Sequence, residues 1–133
     1  MLKINKRFLI ALLTFTLPFG YVGCASDGSS VTYEQISGAE AKALMDSESG
    51  YIIIDARTQE EYDEGHIPGA ILIPEYEIAD RAEKELPDKD QLILVYCRSG
   101  RRSKIAAEEL VKLGYTNVKE FGGIIDWEYE IVK

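Results

Sequence analysis

Cysteine and histidine are scarce in this chain of 133 residues, which carries Cys24, Cys97 and the single histidine His66. A structural zinc site draws four ligands from such residues, and no C-x-x-C pair or Cys/His cluster is present. No metal and no cofactor are therefore expected. Basic residues are outnumbered too, with 15 Lys and Arg against 23 Asp and Glu and a formal charge of −8. That balance argues against nucleic acid and against anionic lipid surfaces as partners. Internal repeats and low-complexity segments are missing. A bilayer span needs about 18 or more apolar residues, whereas the leading apolar run, 8–19, is shorter and contains Pro18.

What is present begins with an amino-terminal leader. Lys3, Lys6 and Arg7 precede the apolar run, and Gly20, Tyr21, Val22, Gly23 and Cys24 follow it. This is the charged region, short apolar region and small-residue cleavage site of a secretory signal. Gly23 followed by Cys24 resembles a bacterial lipobox, with Tyr21 where leucine is preferred. The resemblance implies a signal peptide over 1–23 and thioether lipidation of Cys24. It also implies a polar tether over 24–30 and an exported protein anchored in the cell envelope, facing the periplasm if there are two membranes. Ordinary cleavage nearby, leaving Cys24 free, is the alternative. Removal of 1–23 leaves 12 basic against 23 acidic residues, a formal charge of −11. With Cys24 acylated, Cys97 is the sole thiol, so a redox cycle would take its second thiol from another molecule.

The length suits one domain, here 31–133, and a monomer is expected. Apolar β-branched runs at 51–55 and 91–96 read as strands buried on both faces of a parallel sheet. Shorter strands are expected at 31–34, 70–73 and 117–121. Ser37 with Glu40 forms a capping-box signature for a helix reaching Met45, and Thr58 with Glu61 repeats it for a short helix ended by Gly65. Residues 75–86 read as a helix stopped by Pro87. An amphipathic helix is expected over 103–113, with Gly114 as its stop. Alternating strands and helices imply an α/β fold: a mostly parallel five-stranded sheet with helices on both faces.

In such sheets ligands bind beyond the carboxyl ends of the strands. Cys97 occupies that position, followed by Arg98, Ser99, Gly100, Arg101 and Arg102. The loop amides can form an anion nest, and a helix N-terminus adds positive potential. Such surroundings lower a cysteine pKa from about 8.5 to about 3.5–7.5, so a thiolate is expected without a histidine base. The competing reading is a small buried hydrophobe.

The segment from Asp55 through Arg57, Glu61, Tyr62, Gly65, His66, Ile67 and Gly69 to Ala70, together with the 95–103 loop, resembles the rhodanese family. Gly114-Tyr115 and the Gly122-Gly123 to Trp127 tail complete the resemblance, which covers essentially all of 31–127. It implies a sulfurtransferase in which Cys97 takes a sulfane sulfur from a small anionic donor such as thiosulfate and passes it to cyanide or a thiol. Arg98, Arg101 and Arg102 would then hold the donor, and the amides of 98–102 would stabilise the sulfur anion. A noncatalytic binding or sulfur-relay module is the alternative from another class. A phosphatase of the same fold ranks behind both, because its loop places arginine six positions after cysteine and Ser103 stands there. His66 and Trp127 read as structural residues, and 75–85 as a solvated acidic face. Asp55 and Arg57 border the pocket or form an internal ion pair.

Overall fold

The computed structural model describes residues 32–133; the expected leader, the tether with Cys24, and Val31 lie outside the described residues. Among the described residues five strands run β1 (Glu34–Gln35), β2 (Ile52–Asp55), β3 (Ile71–Leu72), β4 (Ile93–Cys97) and β5 (Val118–Gly123). Four helices accompany them: α1 (Gly38–Ser47), α2 (Gln59–Glu64), α3 (Ile78–Glu85) and α4 (Arg101–Lys112). The strand order is β1-β5-β4-β2-β3, and every neighbouring pair is parallel. Right-handed crossovers in this order put α1 and α2 on one face and α3 and α4 on the other.

The two faces are packed by different residues. Ile54, Val95, Val118 and Cys97 turn towards Ile78 and Ala82 of α3 and Ala106, Ala107 and Leu110 of α4. Ile53, Leu94, Tyr96 and Phe121 turn the other way, towards Ala41 and Leu44 of α1. All five residues of β4 are buried, as the central strand of a parallel sheet requires. Each large aliphatic side chain so placed contributes about 1.5–3 kcal/mol of transfer free energy.

Local chemistry sets the helix starts. The Ser37 hydroxyl accepts from the Glu40 amide at 3.1 Å while the Glu40 carboxylate accepts from the Ser37 amide at 2.7 Å. The Thr58 hydroxyl likewise accepts from the Glu61 amide. Several boundaries differ from the sequence expectation. The first strand lies at Glu34–Gln35 rather than 31–34, paired among the described residues with β5 alone. The segment 75–86 divides into a 3-10 turn, Glu75–Glu77, and α3, because Pro74 precedes the turn and lends its carbonyl to the Glu77 amide. The last helix begins at Arg101, two residues before Ser103, since Gly100 serves as its N-cap in a left-handed conformation.

Between β4 and β5 the register shifts. Val95 pairs with Glu120, yet Cys97 pairs with Gly123. One more residue on β5 than on β4 therefore lies between these pairs, which is a bulge at the end of the sheet.

Candidate active site

Because β2 and β3 lead one way across the sheet and β4 and β5 the other, the order reverses beside β4, where α/β sheets open a ligand crevice. Cys97 is the last residue of β4. Only Arg98, Ser99 and Gly100 separate it from α4, so the thiol stands close to that helix's N-terminus. Gly100 has φ 106°, the left-handed region in which a side chain is strained. Its amide donates to the Cys97 Sγ at 3.0 Å. Gly123 matters for another reason: a Cβ there would overlap the Arg98 carbonyl. The end of β5 and the loop touch backbone to backbone.

Cys97 is 1% exposed. Burial pushes its thiol pKa up, but hydrogen bonding with the Ser103 hydroxyl and with the Ser103, Gly100 and Ser99 amides outweighs that and holds it below its ordinary value. Ser103 Oγ lies 3.3 Å from the sulfur. The same oxygen lies 2.6 Å from Glu120 Oε1 and 3.0 Å from the Gly100 carbonyl. Glu120 is 3% exposed, and its Oε1 accepts from the Gly122 amide at 2.8 Å.

The arginines divide. Arg98 and Arg101 are exposed, and among the described residues neither takes part in an ion pair. Arg102 instead turns to α2, donating from both terminal nitrogens to Glu61 at 2.6 and 2.9 Å. Its hydrogen bond, followed by its charge, holds the Glu61 carboxyl at a pKa of about 2 against the opposing effect of burial. Arg102, expected as a donor ligand, has its guanidinium fork occupied by a carboxylate.

Asp55 and Arg57 form an internal pair. Arg57 donates from Nη2 to Asp55 Oδ2 at 2.7 Å, from Nε to Oδ1 at 2.9 Å, and from Nη2 to the Gly65 carbonyl at 2.7 Å. The Tyr96 hydroxyl donates to Asp55 Oδ2 at 2.7 Å and accepts from the Ile67 amide at 3.1 Å. Burial pushes the Tyr96 phenol pKa well up, and the Asp55 carboxylate pushes it the same way. This network ties β2, β4 and the turn after α2 together beneath the site.

His66 stacks on Tyr62 with ring centroids 3.7 Å apart, and its Nδ1 lies 2.9 Å from the Tyr62 carbonyl. Its backbone bridges to Val132. Trp127 packs against Phe121 and over Gly38. Both are structural placements. Among the described residues no group of three or more His, Cys, Asp or Glu side chains is arranged to hold a metal ion.

Sequence reasoning used Ser103 as the start of the last helix and to set a phosphatase loop aside, without placing it against the sulfur, and assigned no role to Glu120. A usable signal was the strand alternation, which puts Glu120 on the same face as Val118 and therefore under α4.

Comparison with known proteins follows the same lines. The rhodanese-like domain profile matches residues 37–130. The thiosulfate sulfurtransferase PspE of Escherichia coli is 44% identical over 73 residues, covering 55% of this chain and 70% of its own. The thiosulfate sulfurtransferase GlpE of Coxiella burnetii is 35% identical over 97 residues, covering 72% and 88%. The putative sulfur carrier protein YrkF of Bacillus subtilis is 37% identical over 103 residues, and the match spans 55% of that relative's length. Among solved structures, a rhodanese with anions from E. coli superimposes with a TM-score of 0.59 at 41% identity, covering 62% of this chain and 98% of that one. A rhodanese-related protein from Thermoplasma volcanium gives 0.65 at 30% identity, covering 75% and 98%. With its profile match spanning most of the described chain and its cysteine loop at the carboxyl end of the central strand, the protein belongs to the rhodanese-like domain family.

Proposed function

We propose that the protein is a sulfurtransferase that carries a sulfane sulfur on Cys97. The observation that carries this reading is the cradle itself: a buried sulfur at a strand end, with the Gly100 amide donating to it and its pKa held down. Such a thiolate attacks the outer sulfur of a thiosulfate-like donor. A bond forms between Sγ and that sulfur, the donor's S–S bond breaks, and sulfite leaves with its electron pair. The persulfide anion left on Cys97 occupies the loop. Cyanide or a thiolate then attacks the outer persulfide sulfur and takes it away, returning the Cys97 thiolate. The route is two-step covalent catalysis.

Arg98 and Arg101 supply the positive charge that draws an anionic donor to the mouth of the loop, in a chain that is otherwise acidic. Incubation with thiosulfate should add the mass of one sulfur atom to wild-type protein and none to Cys97→Ser, and thiocyanate should form on addition of cyanide. Protein that takes up no sulfur from thiosulfate, polysulfide or persulfide donors overturns the reading.

A sulfur-relay role is the second reading, supported by the similarity to a putative sulfur carrier protein. Its signature is normal sulfur loading with no turnover to small acceptors. We propose in addition that the protein acts in the cell envelope through a lipid on Cys24, on the strength of the leader pattern. Labelled fatty acid should enter wild-type protein and not Cys24→Ala.

A further inference from the structure

Arg102 reaches the candidate site already occupied. Its partner, Glu61, stands in the first turn of α2, where three donors fix the carboxylate: Thr58 Oγ1 at 3.2 Å and Arg102 Nη1 at 2.6 Å from Oε1, and Arg102 Nη2 at 2.9 Å from Oε2. The arginine and carboxylate side chains are 20% and 23% exposed, so the pair borders the site instead of standing out in solvent. Arg102 also precedes Ser103, whose Oγ lies 3.3 Å from the sulfur, and its charge interacts with that of Cys97. A planar fork suited to clasping an anionic donor from two nitrogens is clasping a carboxylate of the chain itself.

The other full charges deep in the site are balanced in the same way. Arg57 is paired with Asp55, and Glu120, the remaining buried acid, adds nothing positive. Among the described residues Arg98 and Arg101 take part in no ion pair, and both are exposed. Beside the sulfur itself the partners are uncharged amides and a hydroxyl. An anion nearing a Cys97 thiolate is therefore repelled in proportion to its own charge, and a neutralised Arg102 gives no compensation. A dianion such as thiosulfate loses about twice as much attraction as a monoanion such as an organic persulfide, R–S–S⁻.

We infer that Glu61 is a specificity-determining residue of this site: by closing the Arg102 fork it turns the site from dianionic donors towards sulfane-sulfur donors of single negative charge, the organic persulfides. This rests on the sulfur-transfer reading of Cys97. In the favoured step a bond forms between Cys97 Sγ and the outer sulfur of R–S–S⁻, the donor's S–S bond breaks, and R–S⁻ leaves with the electron pair, as sulfite does from thiosulfate. Charge is conserved, with one persulfide anion on Cys97 and one thiolate released.

The test alkylates Cys97 in the full chain with two probes of different charge, iodoacetate and iodoacetamide, and reads the modified peptide by mass. The ratio of their rates cancels the thiolate population and reports the potential at the sulfur. Glu61→Gln should raise the iodoacetate-to-iodoacetamide ratio about threefold, sulfur loading from cysteine persulfide about threefold and loading from thiosulfate about tenfold. Combining Glu61→Gln with Arg102→Gln should return all three to their wild-type values, since that pair again presents no net charge. An unchanged ratio in Glu61→Gln overturns the proposal. So does a ratio that stays raised in the double variant, because Glu61 would then act by its own charge and not through Arg102. If Glu61→Gln does not fold, a double variant with a ratio well below wild type overturns the proposal instead, since Arg102 would then be serving the incoming anion in the native pair. Alkylation transfers no sulfur, so a raised ratio in protein that loads no sulfur from either donor would refute the transferase reading and leave the control of charge by Glu61 standing.

Discussion

Two polar clusters are buried at the carboxyl end of this sheet, and they differ in how their charge is balanced. At the end of β2, Asp55 meets Arg57, and Tyr96 fills the remaining carboxylate position. Every polar atom there has its partner, one positive against one negative, and nothing is left to move. At the ends of β4 and β5, Cys97 and Glu120 are both acids, and a single serine hydroxyl stands between them. The first arrangement has one low-energy state and fixes the geometry of its neighbours. The second places one hydroxyl within hydrogen-bond reach of both a thiol and a carboxylate. A buried ion pair complete in itself is a brace, whereas the cysteine cluster is held by backbone amides and a shared hydroxyl rather than by an opposite charge in contact.

The contrast can be broken at either end. Cys97→Ser has the largest expected effect, a loss of sulfur uptake to background with the fold unchanged by circular dichroism; retained uptake would put the reactive thiol elsewhere. Next in size is Arg57→Ala, which strands the Asp55 carboxylate in the interior and should cost about 3–5 kcal/mol of stability in urea titration. A change below about 1 kcal/mol would show that the brace is not what holds the end of β2. Gly123→Ala forces the Arg98 carbonyl to move, and should cost about 1–3 kcal/mol together with most of the thiosulfate reaction rate. An unaffected rate would separate the loop from the end of β5.

Glu61→Gln has the smallest effect, about 1 kcal/mol at neutral pH, because the Arg102 pair is partly exposed. Its sign with pH is defined. Glu61 titrates at about 2 in the folded protein instead of 4.5, so its contribution is present in full above the unfolded value and is lost as pH falls from about 4.5 towards about 2. Stability curves of wild type and Glu61→Gln should therefore converge across that window. Parallel curves would mean that the pair does not form in solution.

Much of this arrangement was legible in the residues. Continuous β-branched runs located β2 and β4, because only strands buried on both faces are apolar throughout. Capping pairs located the starts of α1 and α2, because the bonds involved are local. Cys97 was legible for a similar reason, since a cysteine between a buried strand and a run of arginines has few structural settings. What escaped depended on contacts distant in sequence. The occupation of Arg102 by Glu61 spans 41 residues, and nothing local distinguishes Arg102 from Arg98 or Arg101. Helix α4 starts early because of the conformation of Gly100, which a motif does not specify. Glu120 was readable as inward-facing from its parity with Val118, but its approach to Ser103 required the packing of α4 on β5.

The extra residue that β5 carries between Glu120 and Gly123 has a consequence for engineering. Up to Val95 the two strands count in step, and beyond it one runs a residue ahead. A cysteine loop cut out at 97–103 and grafted onto another parallel sheet would meet a neighbour with the wrong phase, offering no glycine where the Arg98 carbonyl needs room and no carboxylate opposite the serine. The portable unit is the loop together with the tail of the adjacent strand, and transplants that move both should retain a reactive thiol where transplants of the loop alone do not.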